Sequence, residues 1–290
     1  MPGKLIICPT PLGNLGDMPP RALDALRAAD TVCAEDTRVT GRLLAALGVS
    51  GKRLERLDEN LMAQRVEGIL QRVRAGETIV YCTDAGMPGV SDPGLRLVRA
   101  AREAGDPFVE VLPGPTAAAT AYVASGCTDP CFYFGGFFPR KAGERRALLE
   151  RLRELDAALI FYESPNRLVA ALAAIAEVLP ARHLAVCREL TKVHEEIVRG
   201  TAPVVHAEFA ARAESESPGI KGEIVIVIDA PSDDELSGRS ADAHARAVQR
   251  AAELREQGLR PKEIARRLAE ECSIPRNEAY DLALNAAHTE

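Results

Sequence analysis

Two neighbouring carboxylates, Glu35 and Asp36, follow directly after a short apolar run at residues 31–34, and Arg38 stands close behind them. A side chain at the carboxyl end of a parallel strand lies at the sheet edge where α/β proteins bind ligands. Carboxylates at such an edge can accept a proton, and a guanidinium can hold a phosphate. An ion pair that caps a helix is the alternative interpretation of this segment.

Three turns rich in glycine and proline follow other apolar runs, at residues 10–17, 83–94 and 113–117. Glycine lets the backbone approach a ligand closely, and the helix that follows each turn favours anions at its N-terminus. The first turn lacks both Gly-Lys-Ser/Thr and G-x-G-x-x-G, which argues against a P-loop and against a Rossmann oxidoreductase. Simple tight turns are the alternative.

The second half of the chain also places ionisable residues after apolar runs. Residues 135–141 join two phenylalanines to Arg140 and Lys141, and Arg145 and Arg146 follow. Such a segment can contact a phosphate backbone or a base, although core aromatics beside a solvated helix would give the same pattern.

The elements that position these segments alternate between short apolar runs and helix-length amphipathic runs, which predicts an α/β fold. Strands are expected at 5–8, 31–34, 78–82, 108–112, 132–134, 159–162, 184–187 and 223–228. A break in composition at 126–130 predicts a domain boundary, and 231–240 reads as a polar, acidic linker. Three helices, at 241–257, 261–272 and 276–287, form a separate module that resembles a helix-turn-helix.

Composition narrows the class of protein. The 290 residues are 47% hydrophobic and carry a formal net charge of −6, which excludes binding of bare nucleic acid by global charge but allows a local basic patch. The seven cysteines include no C-x-x-C pair, so reduced thiols without a metal are expected. We also expect a cytoplasmic protein, because no apolar run could span a bilayer and no signal peptide is apparent.

Taken together, these segments resemble the ribosomal RNA small-subunit methyltransferase I family, a branch of the tetrapyrrole methylase superfamily. The resemblance covers about residues 4–230, and the C-terminal module is similar to the variable tail of that family. The segments that carry it are TPLGNLGD (10–17), AEDTR (34–38), TDAGMPGVSDPG (83–94), LPGPT (112–116), GFFPRK (136–141), FYESPNR (161–167), RELTK (188–192) and KGE (221–223).

The resemblance implies a two-domain α/β fold, with domains at 1–126 and 127–230 and a helical module at 241–290. It also implies that S-adenosylmethionine binds in the cleft between the domains. Members of the family methylate the ribose 2′-oxygen of a cytidine in the decoding centre of 16S ribosomal RNA, within the small ribosomal subunit. The superfamily commonly forms homodimers, and the reaction needs no metal.

Site residues follow from the same resemblance. The predicted cofactor contacts are Pro11, Asp84, Gly86, Val90, Thr116, Ala117, Tyr162, Leu190 and Gly222. The candidates for the base that deprotonates the ribose are Asp36 and Glu35, followed by Glu189 and Lys192. The residues expected to hold RNA phosphates are Arg38, Lys141, Arg145 and Arg146.

One segment departs from the family pattern. Residues 57–60 read Leu-Asp-Glu-Asn where the family often has His-x-His-Asn.

Two other functions stay open. A methylase of a tetrapyrrole or another small molecule would need a deep apolar trough without a basic rim. A non-catalytic ribosome-binding module would not bind the cofactor.

Overall fold

The computed structural model describes residues 3–105, 108–215, 219–272 and 274–285. The chain separates into two compact units. The larger holds residues up to 151 together with 157–230, and the smaller holds 152–156 together with the residues after 230.

The first sheet is built from five parallel strands: β1 (Leu5–Ile7), β2 (Thr31–Ala34), β3 (Arg53–Arg56), β4 (Ile79–Cys82) and β5 (Val109–Val111). Their spatial order is β3-β2-β4-β1-β5. The connections contain the helices α1 (Pro20–Ala28), α2 (Thr37–Ala46), α3 (Glu59–Arg74), α4 (Gly94–Glu103) and α5 (Ala117–Ala124).

The three central strands β1, β2 and β4 are buried on both faces, which explains their continuous apolar sequences. Because side chains alternate along a strand, Leu5 and Ile7 pack in one apolar cluster, while Ile6 and Cys8 pack in another.

The second sheet is mixed. It contains β6 (Phe132–Phe137), β7 (Ala158–Glu163), β8 (His183–Arg188), β9 (Glu196–Thr201) and β10 (Ile224–Ile228), in the order β6-β7-β10-β8-β9. Only β6 and β7 are parallel, and β10 runs antiparallel to both of its neighbours. The helices α6 (Ala142–Leu152), α7 (Leu168–Val178) and α8 (Ala202–Ser215) connect these strands.

The smaller unit contains α9 (Asp233–Glu256), α10 (Pro261–Glu271) and α11 (Arg276–Asn285), which pack around Leu254, Ile264 and Leu268. The three helices confirm that part of the sequence prediction. The predicted linker at 231–240 is wrong, because α9 begins within it. Ser232 caps that helix by accepting a hydrogen bond from the Glu235 N–H, and the acidic first turn suits a helix N-terminus.

The eight predicted strands are confirmed, but two edge strands were not predicted. β3 reads Arg-Leu-Glu-Arg and lies half exposed at one edge of its sheet, and β9 occupies the corresponding edge of the second sheet. Neither has the apolar character that marks the central strands. All seven cysteines are free thiols. Within the described ranges, no helix is both long and apolar enough to cross a membrane.

Candidate functional site

A cavity of about 390 Å³ lies where the carboxyl ends of the parallel strands meet the second sheet. This volume is typical of small-molecule sites, and the location is the one that open α/β sheets use. Residues 83–87 after β4 and residues 162–165 at the end of β7 form part of its wall. Because β10 is antiparallel to β7 and β8, its first residues, 224 and 225, reach the same wall.

Most of the predicted cofactor contacts line this cavity. Pro11 does not, although its neighbour Leu12 does. The other eight predicted residues all contribute to the wall: Asp84, Gly86, Val90, Thr116, Ala117, Tyr162, Leu190 and Gly222.

The loops around the cavity hold strained backbone. Ser91, Glu189 and Thr191 adopt φ values of 72°, 51° and 67°, and they are the only non-glycine residues with positive φ in the described part of the chain. Such conformations persist only where surrounding contacts fix them, and they concentrate at functional sites. The Asp92 carboxylate supplies such contacts for its loop, because it accepts hydrogen bonds from the Gly89 and Gly94 N–H groups at 2.8–2.9 Å.

Gly222, in the loop before β10, lies against Glu189 in the loop after β8. Its φ is +97°, and a Cβ placed on it would lie 2.5 Å from Glu189 Cγ. The carboxylate of Glu189 also accepts a hydrogen bond from the Glu223 N–H at 2.9 Å. The position therefore requires glycine for both its conformation and its space.

Glu35 is the predicted catalytic residue that lies in the cavity wall. Its Oε2 accepts a hydrogen bond from the Thr83 hydroxyl at 3.1 Å. Burial raises the pKa of Glu35 above its usual value, the Thr83 hydrogen bond lowers it, and the charges of Asp84 and Asp92 raise it further. A carboxylate with a raised pKa is a stronger base than an ordinary one.

Asp36 lies in a different environment from Glu35. It caps α2 through a 2.8 Å hydrogen bond from the Arg38 N–H, and its carboxylate also pairs with the Arg38 guanidinium at 2.7 Å. These hydrogen bonds hold the pKa of Asp36 well below its usual value, and the side chain is absent from the cavity wall. The helix-capping ion pair is therefore present at Asp36, and its contacts favour a structural role over the role of base.

Glu189 and Lys192 also lie outside the cavity wall. Lys192 Nζ donates to Glu189 Oε1 at 2.8 Å and lies 3.1 Å from Glu223 Oε2. Burial lowers the pKa of Lys192, but its hydrogen bonds to the two carboxylates outweigh that effect and raise it. These contacts favour Lys192 as a cation that stabilises the loop after β8 over Lys192 as the base.

Arg145 is one of the predicted RNA contacts, but the structure places its side chain inside the protein. Its side chain is 5% exposed, donates from Nε to the Pro139 carbonyl at 2.6 Å, and lies 3.8 Å from Glu163 Oε2. A buried side chain with these partners cannot contact RNA. The side chains of Arg38, Lys141 and Arg146 are exposed, each in an ion pair with a nearby carboxylate.

Phe137 and Glu163 are among the wall residues that the sequence did not predict as site residues. The Glu163 carboxylate is fully buried, accepts from the Ser164 N–H at 2.7 Å, and pairs with Arg167. Its sequence signal was the ionisable cluster that follows an apolar strand.

The segment that departs from the family pattern has a local structural role. Leu57 is fully buried, and Asp58 caps α3 by accepting from the Asn60 and Leu61 N–H groups at 3.1 and 3.0 Å. Glu59 pairs with Arg96 at 2.6 Å. This segment therefore begins a helix and fixes its first turn.

Comparison with known proteins identifies the family. The sequence model of the tetrapyrrole (corrin/porphyrin) methylases matches residues 4–205. The ribosomal RNA small subunit methyltransferase I of Synechocystis sp. is 38% identical over 285 residues, which cover 97% of this chain and 98% of that protein. The chain belongs to the ribosomal RNA small subunit methyltransferase I family of tetrapyrrole methylases.

Other comparisons agree with this assignment. The family member from Mycobacterium tuberculosis strain H37Rv is 45% identical over 228 residues, 78% of this chain and 77% of that protein. A crystal structure of diphthine synthase matches with a TM-score of 0.60 at 13% identity, covering 78% of this chain and 90% of its own. The methyltransferase CobJ matches with a TM-score of 0.58 at 18% identity, covering 79% of this chain and 94% of its own. These two structural matches show the fold alone.

The residues of the cavity fit a methyl donor of the S-adenosylmethionine type. The wall combines carboxylates at Glu35, Asp84 and Asp92 with apolar side chains at Leu12 and Leu190. That donor carries a positive sulfonium and an ammonium group, which carboxylates attract, and an adenine that apolar side chains can cover.

Proposed function

We propose that this protein transfers a methyl group from S-adenosylmethionine to the ribose 2′-oxygen of a cytidine in the decoding centre of 16S ribosomal RNA. The observation that carries the proposal is the cavity at the strand ends, which unites eight predicted cofactor contacts, Asp84 among them, with Glu35. Burial raises the pKa of both carboxylates, and Glu35 is the one of the two that is also a predicted base. The names of the relatives support the choice of RNA as substrate.

Binding of the donor falls to the loops that form the cavity wall. Residues 83–92 and the turn before α5 approach from the first sheet, while Tyr162, Leu190 and Gly222 approach from the second. Bound S-adenosylmethionine supplies an activated methyl group that needs no metal. The protein then gains rate by holding the acceptor oxygen in line with that methyl, which can be worth about 7–11 kcal/mol.

Glu35 takes the role of general base in this proposal. A ribose hydroxyl is a poor nucleophile while it keeps its proton, and the Glu35 carboxylate at the cavity wall can accept it. The Thr83 hydroxyl holds Glu35 Oε2 and leaves Oε1 as the atom that receives the proton. Such proton transfer is worth about 10²–10⁴ in rate.

The substrate in this proposal is the assembled small subunit. The net charge of −6 disfavours binding to protein-free RNA, whereas a structured subunit can be recognised by shape through a limited basic surface. Arg38, Lys141 and Arg146 supply exposed cations for that surface. A cytoplasmic location and a homodimer are parts of the same proposal.

The proposal is tested by incubating the protein with labelled S-adenosylmethionine and small subunits that lack the modification. Naked 16S RNA and a tetrapyrrole serve as parallel substrates. We expect label on the subunits, little on naked RNA and none on the tetrapyrrole. Label on the tetrapyrrole alone would show that the protein is a small-molecule methylase. If calorimetry detects no binding of S-adenosylmethionine, the function that fits is a non-catalytic ribosome-binding module.

A further inference from the structure

Strand β6 is interrupted next to the cavity. Its register against β7 shifts between Phe134 and Phe137, which is a β-bulge. Gly136 has a φ of +68°, and a Cβ on Gly135 would lie 2.3 Å from a ring carbon of Phe161. The two glycines are therefore required for the bend, and the bend redirects the residue that follows them.

The two phenylalanines after the bulge have opposite environments. Phe138 is buried, and its ring centre lies 4.8 Å from that of Phe161. Phe137 is 58% exposed and lies in the wall of the cavity. Its ring meets Tyr162 in an edge contact, with centres 5.6 Å apart and planes at 74°, so much of the ring is left open to solvent.

The backbone that carries Phe137 is firmly anchored. The Phe138 N–H donates to the Tyr162 carbonyl at 2.9 Å, and the buried Arg145 holds the Pro139 carbonyl. An exposed aromatic ring on fixed backbone buries little surface within the protein itself. It is instead preorganised to cover an apolar surface that arrives from outside.

The segment that follows Phe137 supplies positive charge. Arg140 and Lys141 are both exposed, and Lys141 is held by Glu144 at 2.9 Å. Aromatic rings that stack on unpaired bases, next to cations that hold phosphates, are the main means by which proteins bind single-stranded RNA. A ribose also reaches a cavity more readily when its base has left the helical stack.

From this arrangement we infer that the ring of Phe137 stacks on the base of the target nucleotide after that base has left the helical stack of the substrate RNA. The ribose of the same nucleotide then faces the cavity. Arg140 and Lys141 hold the adjoining phosphates. The inference rests on the proposed function, since it assigns part of the RNA contact to that same site.

The test compares Phe137→Ala with the unaltered protein in methyl transfer to small subunits. We expect kcat/KM for the subunits to fall about 5- to 150-fold, the effect of one lost base stack. The dissociation constant of S-adenosylmethionine should stay unchanged in calorimetry, and Phe137→Tyr and Phe137→Trp should restore transfer because both rings can stack.

Phe132 provides a matched control on the same strand. It is 44% exposed, lies at the opposite end of β6, and is absent from the cavity wall. Phe132→Ala should therefore leave kcat/KM for the subunits unchanged. An equal loss in both variants, or full activity of Phe137→Ala, would overturn the inference. A matching loss of donor affinity in Phe137→Ala would also overturn it, because the ring would then belong to the donor site.

A second readout detects the stack directly. The protein contains no tryptophan, so Phe137→Trp carries a single indole. When that indole is 5-hydroxytryptophan, it can be excited apart from ribosomal-protein tryptophan. We expect subunits to quench it, and to leave the same probe at position 132 unquenched. If the unaltered protein fails to methylate subunits, the proposed function fails; if it succeeds and no quenching occurs at position 137, only this inference fails.

Discussion

The Thr83 hydroxyl donates a hydrogen bond to Glu35 Oε2 over 3.1 Å, which links the carboxyl ends of the adjacent strands β2 and β4. Both residues lie in the cavity wall. The contact fixes one oxygen of a carboxylate whose pKa burial has raised, at the sheet edge where ligands bind. The adjacent Asp36 is committed to capping α2.

The two neighbouring carboxylates should respond differently to the loss of their charge. Glu35→Gln removes the proposed base and should lower kcat about 10²- to 10⁴-fold. Asp36→Asn retains a side chain that caps a helix, so its kcat should stay close to that of the unaltered protein. Single-turnover methyl transfer to subunits measures both. A larger loss in Asp36→Asn than in Glu35→Gln would reverse the assignment.

The acid limb of the pH–rate profile should report the ionisation of Glu35. Because its pKa is raised, activity should fall at a higher pH than for an ordinary glutamate. Thr83→Val removes a hydrogen bond that lowers this pKa, so the limb should move to still higher pH. A limb that stays in place in Thr83→Val would show that another group controls it.

Glu35 should also affect stability in a defined direction. A folded-state pKa above the unfolded value means that stability is greatest in acid and is lost as pH rises through the folded pKa. Glu35→Gln should therefore be more stable than the unaltered protein at neutral pH, and the difference should vanish in acid. Urea denaturation at the two pH values measures this, and a destabilised variant at neutral pH would contradict it.

Arg145 and Arg146 are adjacent in sequence but should differ in their contribution to stability. Arg145→Ala removes one of the two cations beside the buried Glu163 carboxylate and leaves Arg167 as its partner. The variant also loses a buried side chain and its hydrogen bond to the Pro139 carbonyl, so we expect a cost of about 1–3 kcal/mol of unfolding free energy. Arg146→Ala removes only an exposed pair with Glu177 and should change it by less than about 0.5 kcal/mol. Equal losses in the two variants would contradict the buried role of Arg145.

Gly222 should be required for binding of the donor. Gly222→Ala places a Cβ against Glu189, and we expect about a tenfold loss of S-adenosylmethionine affinity, or about 1.4 kcal/mol. Gly219→Ala is the control, because Gly219 also has positive φ but has open space around it. The affinity of each variant for S-adenosylmethionine is measured by calorimetry. An equal loss of affinity in both variants would mean that backbone strain, and not the contact with Glu189, causes the effect.

The exposed cations should contribute to RNA binding in a salt-dependent way. Arg38→Ala and Lys141→Ala should each reduce the slope of log affinity against log salt by about 0.7–0.9, the contribution of one phosphate contact. Arg99→Ala is the control, because Arg99 is an exposed residue of α4 that pairs with Glu103. This variant should leave the slope unchanged. An unchanged slope in Lys141→Ala would exclude that residue from the phosphate contacts.

The sequence predicts the sheets well because their central strands are continuous apolar runs bounded by glycine and proline. β3 is not predicted by such a run, because it is an edge strand that reads Arg-Leu-Glu-Arg. It is a strand because it pairs with β2, and its own composition does not indicate one. The cavity was predicted through the resemblance, which supplied the loops that the fold brings together.

Individual side chains are less predictable than loops. Glu35 and Asp36 are adjacent carboxylates, and the sequence does not say which one enters the wall and which one caps a helix. Arg145 and Arg146 present the same difficulty, because burial of Arg145 depends on Glu163, a partner that only the folded sheet brings near. Such assignments depend on tertiary packing.

The most direct test of the central claim is the identity of the labelled nucleoside. After transfer from labelled S-adenosylmethionine, the 16S RNA of the subunits is digested to nucleosides and separated. The account predicts that the label elutes as 2′-O-methylcytidine from the decoding centre and that this peak appears about 10²- to 10⁴-fold more slowly with Glu35→Gln. Label on a base-methylated nucleoside, or no label on the RNA of competent subunits, would contradict it.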